Sequence, residues 1–115
     1  MLSYMKNKKH DILEKNISKI KNDILNLGNL RPGSVSKQIA GGPSRKPREY
    51  WQISYTHKMR SRTEYIRDEF VNQIKTETSE YKKLKKLVEK LIEFSIQLSK
   101  EKIEILKKQE KQSKI

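Results

Sequence analysis

The sequence predicts a mostly helical α+β fold: an N-terminal helix, a basic Pro/Gly loop, a short β-hairpin and a long C-terminal helix with a coiled-coil-like stripe. Three observations carry this. Apolar residues recur at three- and four-residue spacing toward both ends of the 115-residue chain, the period of a helix with one buried face. Between those stretches lies NLRPGSVSKQIAGGPSRKPREY, with all three prolines and three of the four glycines, which argues for irregular backbone. Strict alternation follows in YWQISY, the period of a half-covered strand.

The first helix spans residues 9–27. Leu13, Ile17, Ile20, Ile24 and Leu27 form one stripe, widened by Ile12 and Leu25. Gly28 follows, where helices commonly stop in the left-handed conformation. Residues 29–49 read as a loop, turned at Pro32-Gly33 and at Gly41-Gly42-Pro43, with room for one short ordered piece over residues 35–39. The hairpin occupies residues 50–66. Trp51, Ile53 and Tyr55 share one face of its first strand and Tyr50, Gln52 and Ser54 the other, while His57, Lys58 and Arg60 lie at the tip. Trp51 is expected to anchor the core, Tyr65 to pack on a helix, and Tyr50 to offer a ring for stacking. An isolated hairpin is unstable in water, so its apolar face must lie on the helices.

The second helix covers residues 68–108, capped by Asp68 with Glu69 in the first turn. Tyr81, Leu84, Val88, Leu91, Ser95 and Leu98 make its stripe, and Ile92, Ile96, Ile103 and Leu106 a neighbouring row. The run KTETSE is weakly apolar and allows a break near residues 76–79. Residues 109–115 form a polar, fraying tail. The whole, residues 1–115, is one domain. The stripe is longer than the first helix covers easily, so Leu84, Val88, Leu91 and Leu98 are assigned to oligomerisation. The first helix, a second copy or another protein are the candidate partners.

Charge supplies the functional signal. The chain carries +13. Residues 31–67 hold nine cations against two acids, whereas the flanking segments hold six against three and twelve against nine. The nine are Arg31, Lys37, Arg45, Lys46, Arg48, Lys58, Arg60, Arg62 and Arg67. Arginine forks match phosphate in bidentate fashion, and interleaved aromatic rings can stack on bases. These nine, with Tyr50, are the candidate nucleic-acid contacts, and DNA or RNA is the expected partner.

Other chemistry finds no support. There is no cysteine, so disulfides and thiolate metal sites are excluded, and no metal or cofactor is expected. His10 and His57 lack a nucleophile and an acid at recognisable spacing, and the glycines form no phosphate-cradling motif. An enzyme is not expected. No apolar run reaches the roughly 18 residues of a membrane span, and the opening MLSYMKNKKHD lacks the apolar core of a leader. These readings predict a cytoplasmic protein without membrane attachment. They point to a small nucleic-acid-binding protein, largely indifferent to base sequence. The alternative is a subunit or adaptor of a larger nucleoprotein complex, or an inhibitor of an acidic partner, docking through the C-terminal helix.

LRPGSVSKQ, YWQISYTHKMRSRTEYI and the helical YKKLKKLVEKLIEFSIQL, in that order, resemble a family of short, uncharacterised bacterial and archaeal proteins. Its members read Leu-Pro-Pro-Gly-Ser, then a cysteine-rich knuckle, then Gly-Pro-Tyr-Trp, a hairpin and a helix. The resemblance implies that Leu30, Pro32, Gly33 and Ser34 form a signature turn, and Tyr50 and Trp51 an aromatic pair. It implies architecture rather than activity. Ala40, Ser44 and Lys46 stand where the knuckle would place cysteines, so any metal role is lost. Without that staple, residues 36–48 are expected to be mobile until a partner orders them.

Overall fold

The computed structural model describes residues 8–113. Residues 1–7 of the opening stretch and the last two of the expected tail lie outside them. The chain divides into two compact units. One comprises residues 27–84. The other joins the N-terminal stretch up to Asn26 with the stretch from Lys85 onward. Among the described residues no helix is long and apolar enough to cross a membrane.

The second unit is helical. Helix α1, Lys8–Leu25, buries Leu13, Ile17 and Ile20 along one side, as its spacing predicts, and His10 as well, which the spacing did not single out. The helix ends two residues earlier than expected, and Gly28 is not left-handed. Instead the Asn26 N–H donates to the carbonyls of Asn22 and Asp23 at 3.2 Å, which closes the last turn. Helix α2, Val71–Ser113, runs 43 residues, about 64 Å at 1.5 Å per residue. Its stretch from Lys85 half-buries Leu87, Leu91, Phe94, Leu98 and Ile105, a regular 4-3 stripe in the same unit as α1.

The first unit holds a sheet where a hairpin was expected. Strands β1 (Ser34–Ala40), β2 (Arg48–His57) and β3 (Arg60–Ile66) lie antiparallel in the order β1-β2-β3. Val35 sits opposite Ile53, and Ile53 opposite Glu64. The loop expected over 29–49 therefore contains a strand, and residues 36–40 are ordered by pairing with β2 rather than by a partner. Only Val35 and Ile39 carry an apolar signal in β1, with Lys37 between them. A lysine inside a short edge strand is a common guard against edge-to-edge pairing, and it hides the strand from a pattern search.

Opposed residues share a face. The inner face presents Val35, Trp51, Ile53, Tyr55 and Ile66, which pack with Val71 and Ile74 from the start of α2. Ile53 is fully buried. Gly33 makes its closeness possible: with φ near +142°, a Cβ there would lie 2.7 Å from the Ile53 side chain and 3.2 Å from the Ser54 carbonyl. A 3₁₀ turn, Asp68–Phe70, leads into α2, with Arg67 rather than Asp68 in the capping position and no side-chain cap. The expected break at 76–79 is absent, and α2 continues through 109–113. The Thr76 hydroxyl donates to the Asn72 carbonyl and that of buried Thr78 to the Lys75 carbonyl, both at 3.0 Å. These local bonds satisfy the hydroxyls inside the helix.

Candidate nucleic-acid interface

The central cations separate into two groups by what surrounds them. In the first group each cation meets an acid and a ring. Arg31 pairs with Glu64 and stands 5.3 Å over the Tyr55 ring. The Tyr55 hydroxyl donates to Glu64 at 2.8 Å. That hydrogen bond, then the Arg31 guanidinium, holds the Glu64 carboxyl below its ordinary pKa, and Glu64 in turn raises that of Arg31. Lys37 pairs with Glu49 at 2.7 Å and lies 5.7 Å over Trp51. Arg67 pairs with Glu69 and faces the Phe70 ring. These three of the expected contacts are occupied within the fold. Arg31 and Lys37 thereby neutralise both acids of the central segment, Glu64 and Glu49.

The second group is Arg45, Lys46, Arg48, Lys58, Arg60 and Arg62, all exposed, none in an ion pair with a described residue. They lie at the two ends of β2. Arg45 and Lys46 belong to the connection between β1 and β2, tightened by the Arg45 N–H donating to the Gly42 carbonyl at 3.1 Å, and Arg48 opens β2. At the far end, Lys58 and Met59 form the turn between β2 and β3. Both have positive φ, 51° and 64°, the signature of a type I′ hairpin. Such turns usually carry Asn or Gly, because a Cβ crowds the backbone there. Lys58 and Met59 occupy it nonetheless, and Met59 is 98% exposed.

Beside this tip the inner face extends past the apolar core. Tyr55, His57, Lys58, Arg60 and Arg62 line an open cleft of about 560 Å³. Tyr55 pairs across the ladder with Arg62, and His57 with Arg60, so one side of the ribbon gathers these cations with no acid lining the cleft. The arrangement can hold an anion with several N–H donors, as phosphate requires. His57 joins the cleft, although the sequence singled it out only as part of a basic tip.

The aromatic residues divide between faces. Trp51 is half-buried against the core, with the Lys75 ammonium 4.5 Å from its ring, and so anchors the core as expected. Tyr50 lies on the outer face, opposite Gln38. Tyr65 does not pack on a helix: it stands opposite Gln52 on that same outer face and is 66% exposed. Its parity in the strand held this signal, since Ile66 and Glu64 take the inner positions.

Of the four residues assigned to oligomerisation, Leu91 and Leu98 lie on the half-buried stripe of the helical unit, and Leu84 is half-buried in the sheet unit. Val88 falls instead on an exposed apolar row with Ile92, Ile96, Ile103 and Leu106. A second cluster of possible ligands, His10, Asp11 and Glu14, lies in the first turns of α1. Comparison with protein-family models, curated proteins and solved structures finds no match to this chain.

Proposed function

We propose that this protein binds nucleic acid through the cations at the two ends of β2, gripping phosphates without reading a particular base sequence. The observation that supports the reading most is the sorting of charge. Three cations are paired with neighbouring acids, while Arg45, Lys46, Arg48, Lys58 and Arg60 meet none, and Arg62 forms no ion pair although its charge helps to lower the Glu64 pKa. Exposed cations free of ion pairs, gathered at the β1–β2 connection and around the β2–β3 turn, are the electrostatic footprint of a phosphate-binding surface. β2 is 10 residues long, so its two basic ends stand about 30 Å apart, enough to engage several successive phosphates. Affinity would come mainly from counterion release. No catalytic step is assigned, and binding is the proposed activity, in the cytoplasm.

The test compares two charge-removal variants in equilibrium binding to a mixed-sequence oligonucleotide. Replacing Arg45, Lys46, Arg48, Arg60 and Arg62 with Ala is expected to weaken binding to every sequence tried. Replacing Lys82, Lys83, Lys85 and Lys86 of α2 is expected to matter far less. The reverse order of effects would place the surface on the helix and overturn the assignment.

A second reading has its own support in the exposed row Val88, Ile92, Ile96, Ile103 and Leu106. In a chain with so few buried residues, an uncovered row of this kind favours self-association or docking on a protein partner through α2, as a subunit of a nucleoprotein assembly would. The two readings are compatible, because the row and the β2 cations belong to different units.

A further inference from the structure

The outer face of the sheet has a composition unlike the rest of the chain. Charged residues make up 36% of the sequence. Yet no described strand position on this face is acidic, and Arg48 alone is charged. Both acids of the strands, Glu49 and Glu64, point to the inner face, where they pair with Lys37 and Arg31. Apart from Ala40, what remains outside is hydroxyls, amides and two rings. Ser54 and Thr63 share a hydrogen bond across the ladder at 3.1 Å, as do Thr56 and Ser61, and the Gln38 amide donates to Ser36 at 3.0 Å. Gln52 lies between the two tyrosines. Tyr65 is directly opposite Gln52, and Tyr50 is two residues from Gln52 along β2. The rings are thus diagonal neighbours on one surface, about 7–8 Å apart at the backbone.

A solvent-facing sheet in so charged a chain would ordinarily carry Lys and Glu. A face that repels no anion, offers neutral donors and acceptors, and carries an exposed Tyr65 ring diagonal to a half-buried Tyr50 ring suits unpaired bases. Successive bases stack on such rings whatever their identity, since every base has a π-face. The amides and hydroxyls between them can meet base edges. Arg48, Arg45 and Lys46 at one end of β2 and Lys58 in the turn at the other can take the phosphates as the strand crosses. A duplex keeps its bases stacked inside and would use only the cations.

We infer that the partner is single-stranded nucleic acid, laid across the outer face of the sheet with bases stacked on Tyr50 and Tyr65. The inference rests on the nucleic-acid reading above and narrows it to one class of ligand. Base stacking on an aromatic side chain changes affinity by about 5- to 150-fold per base on removal, enough to separate it from backbone contact.

The experiment titrates the full chain with three probes of equal length at one salt concentration: a mixed-sequence single-stranded RNA, the matching DNA strand and the blunt DNA duplex. The variants are Tyr50→Ala with Tyr65→Ala, Tyr50→Phe with Tyr65→Phe, and the five-cation variant. Trp51 emission, from the opposite face, confirms that each sheet is folded. The expected result is tighter binding of the single strands than of the duplex, a loss of at least about tenfold in the Ala pair and near-full retention in the Phe pair. Equal binding of duplex and single strand, with the Ala pair unaffected and the five-cation variant weakened, would overturn the inference and leave phosphate binding in place. Absence of binding to all three probes would overturn both.

Discussion

At the residue scale, the hairpin turn is where this chain holds side chains in a conformation they disfavour. Lys58 and Met59 both have positive φ, which costs roughly 1 kcal/mol or more for a residue with a Cβ. Strain of this kind persists where the side chains are wanted in place, and here it keeps Lys58 at the apex of the basic cleft. Met59→Gly is therefore expected to raise stability by about 1 kcal/mol in urea denaturation, the relief of strain being partly offset by the greater freedom of glycine in the unfolded chain. The same variant should leave nucleic-acid affinity nearly unchanged, whereas Lys58→Gly should weaken it. Glu64 gives a second prediction. Its folded pKa is lowered by the Tyr55 hydroxyl and by Arg31. A carboxylate lowered on folding contributes stability that is present above its unfolded pKa, near 4.3 for glutamate. That stability is lost as pH falls through the folded value. Stability should thus decline below about pH 4, and Glu64→Gln should flatten that decline while lowering the plateau at neutral pH. An unchanged pH profile in Glu64→Gln would contradict this account of the Arg31–Glu64–Tyr55 cluster.

At the scale of elements, both helices were legible because their apolar residues recur at helical period without interruption by proline or glycine. β1 was not, since its two apolar residues flank Lys37 and its ends carry Gly33 and Gly41, which read as turns. Pairing with β2 overrides that weak local signal, a long-range contact that a window of sequence does not contain. The tyrosines were legible only in part: Tyr50 was placed on the outer face by alternation, but Tyr65 was assigned a helix to pack on when none covers it. α2 shows a similar limit. The 4-3 spacing identified a helix, yet did not tell which of two adjacent apolar rows its own chain would cover. Leu91 is half-buried and Ile92, one residue on, is exposed, and this separates their expected phenotypes. Leu91→Asp should melt the helical unit, losing ellipticity and at least about 2 kcal/mol of stability. Ile92→Asp should leave ellipticity intact and, if copies associate through the exposed row, shift sedimentation at micromolar concentration toward the monomer. Equal ellipticity loss in both variants would contradict the assignment of the two rows.

On the scale of the whole molecule, a charge of +13 alone would make any polyanion attractive, and such attraction says little about a site. What distinguishes a site is that removing a few particular cations changes the count of phosphates engaged, while removing as many others does not. The central claim is that this count is set by the cations at the ends of β2. The most direct measurement is the dissociation constant for one oligonucleotide over a range of salt concentrations, for the wild type and for the variant lacking Arg45, Lys46, Arg48, Arg60 and Arg62. The logarithm of affinity should fall linearly with that of salt, with a slope shallower by about 0.7–0.9 for each of the five cations that contacts phosphate, a combined change of up to roughly 3.5–4.5 if all five do. An unchanged slope in that variant, with a shallower one when Lys82, Lys83, Lys85 and Lys86 are removed, would contradict the account.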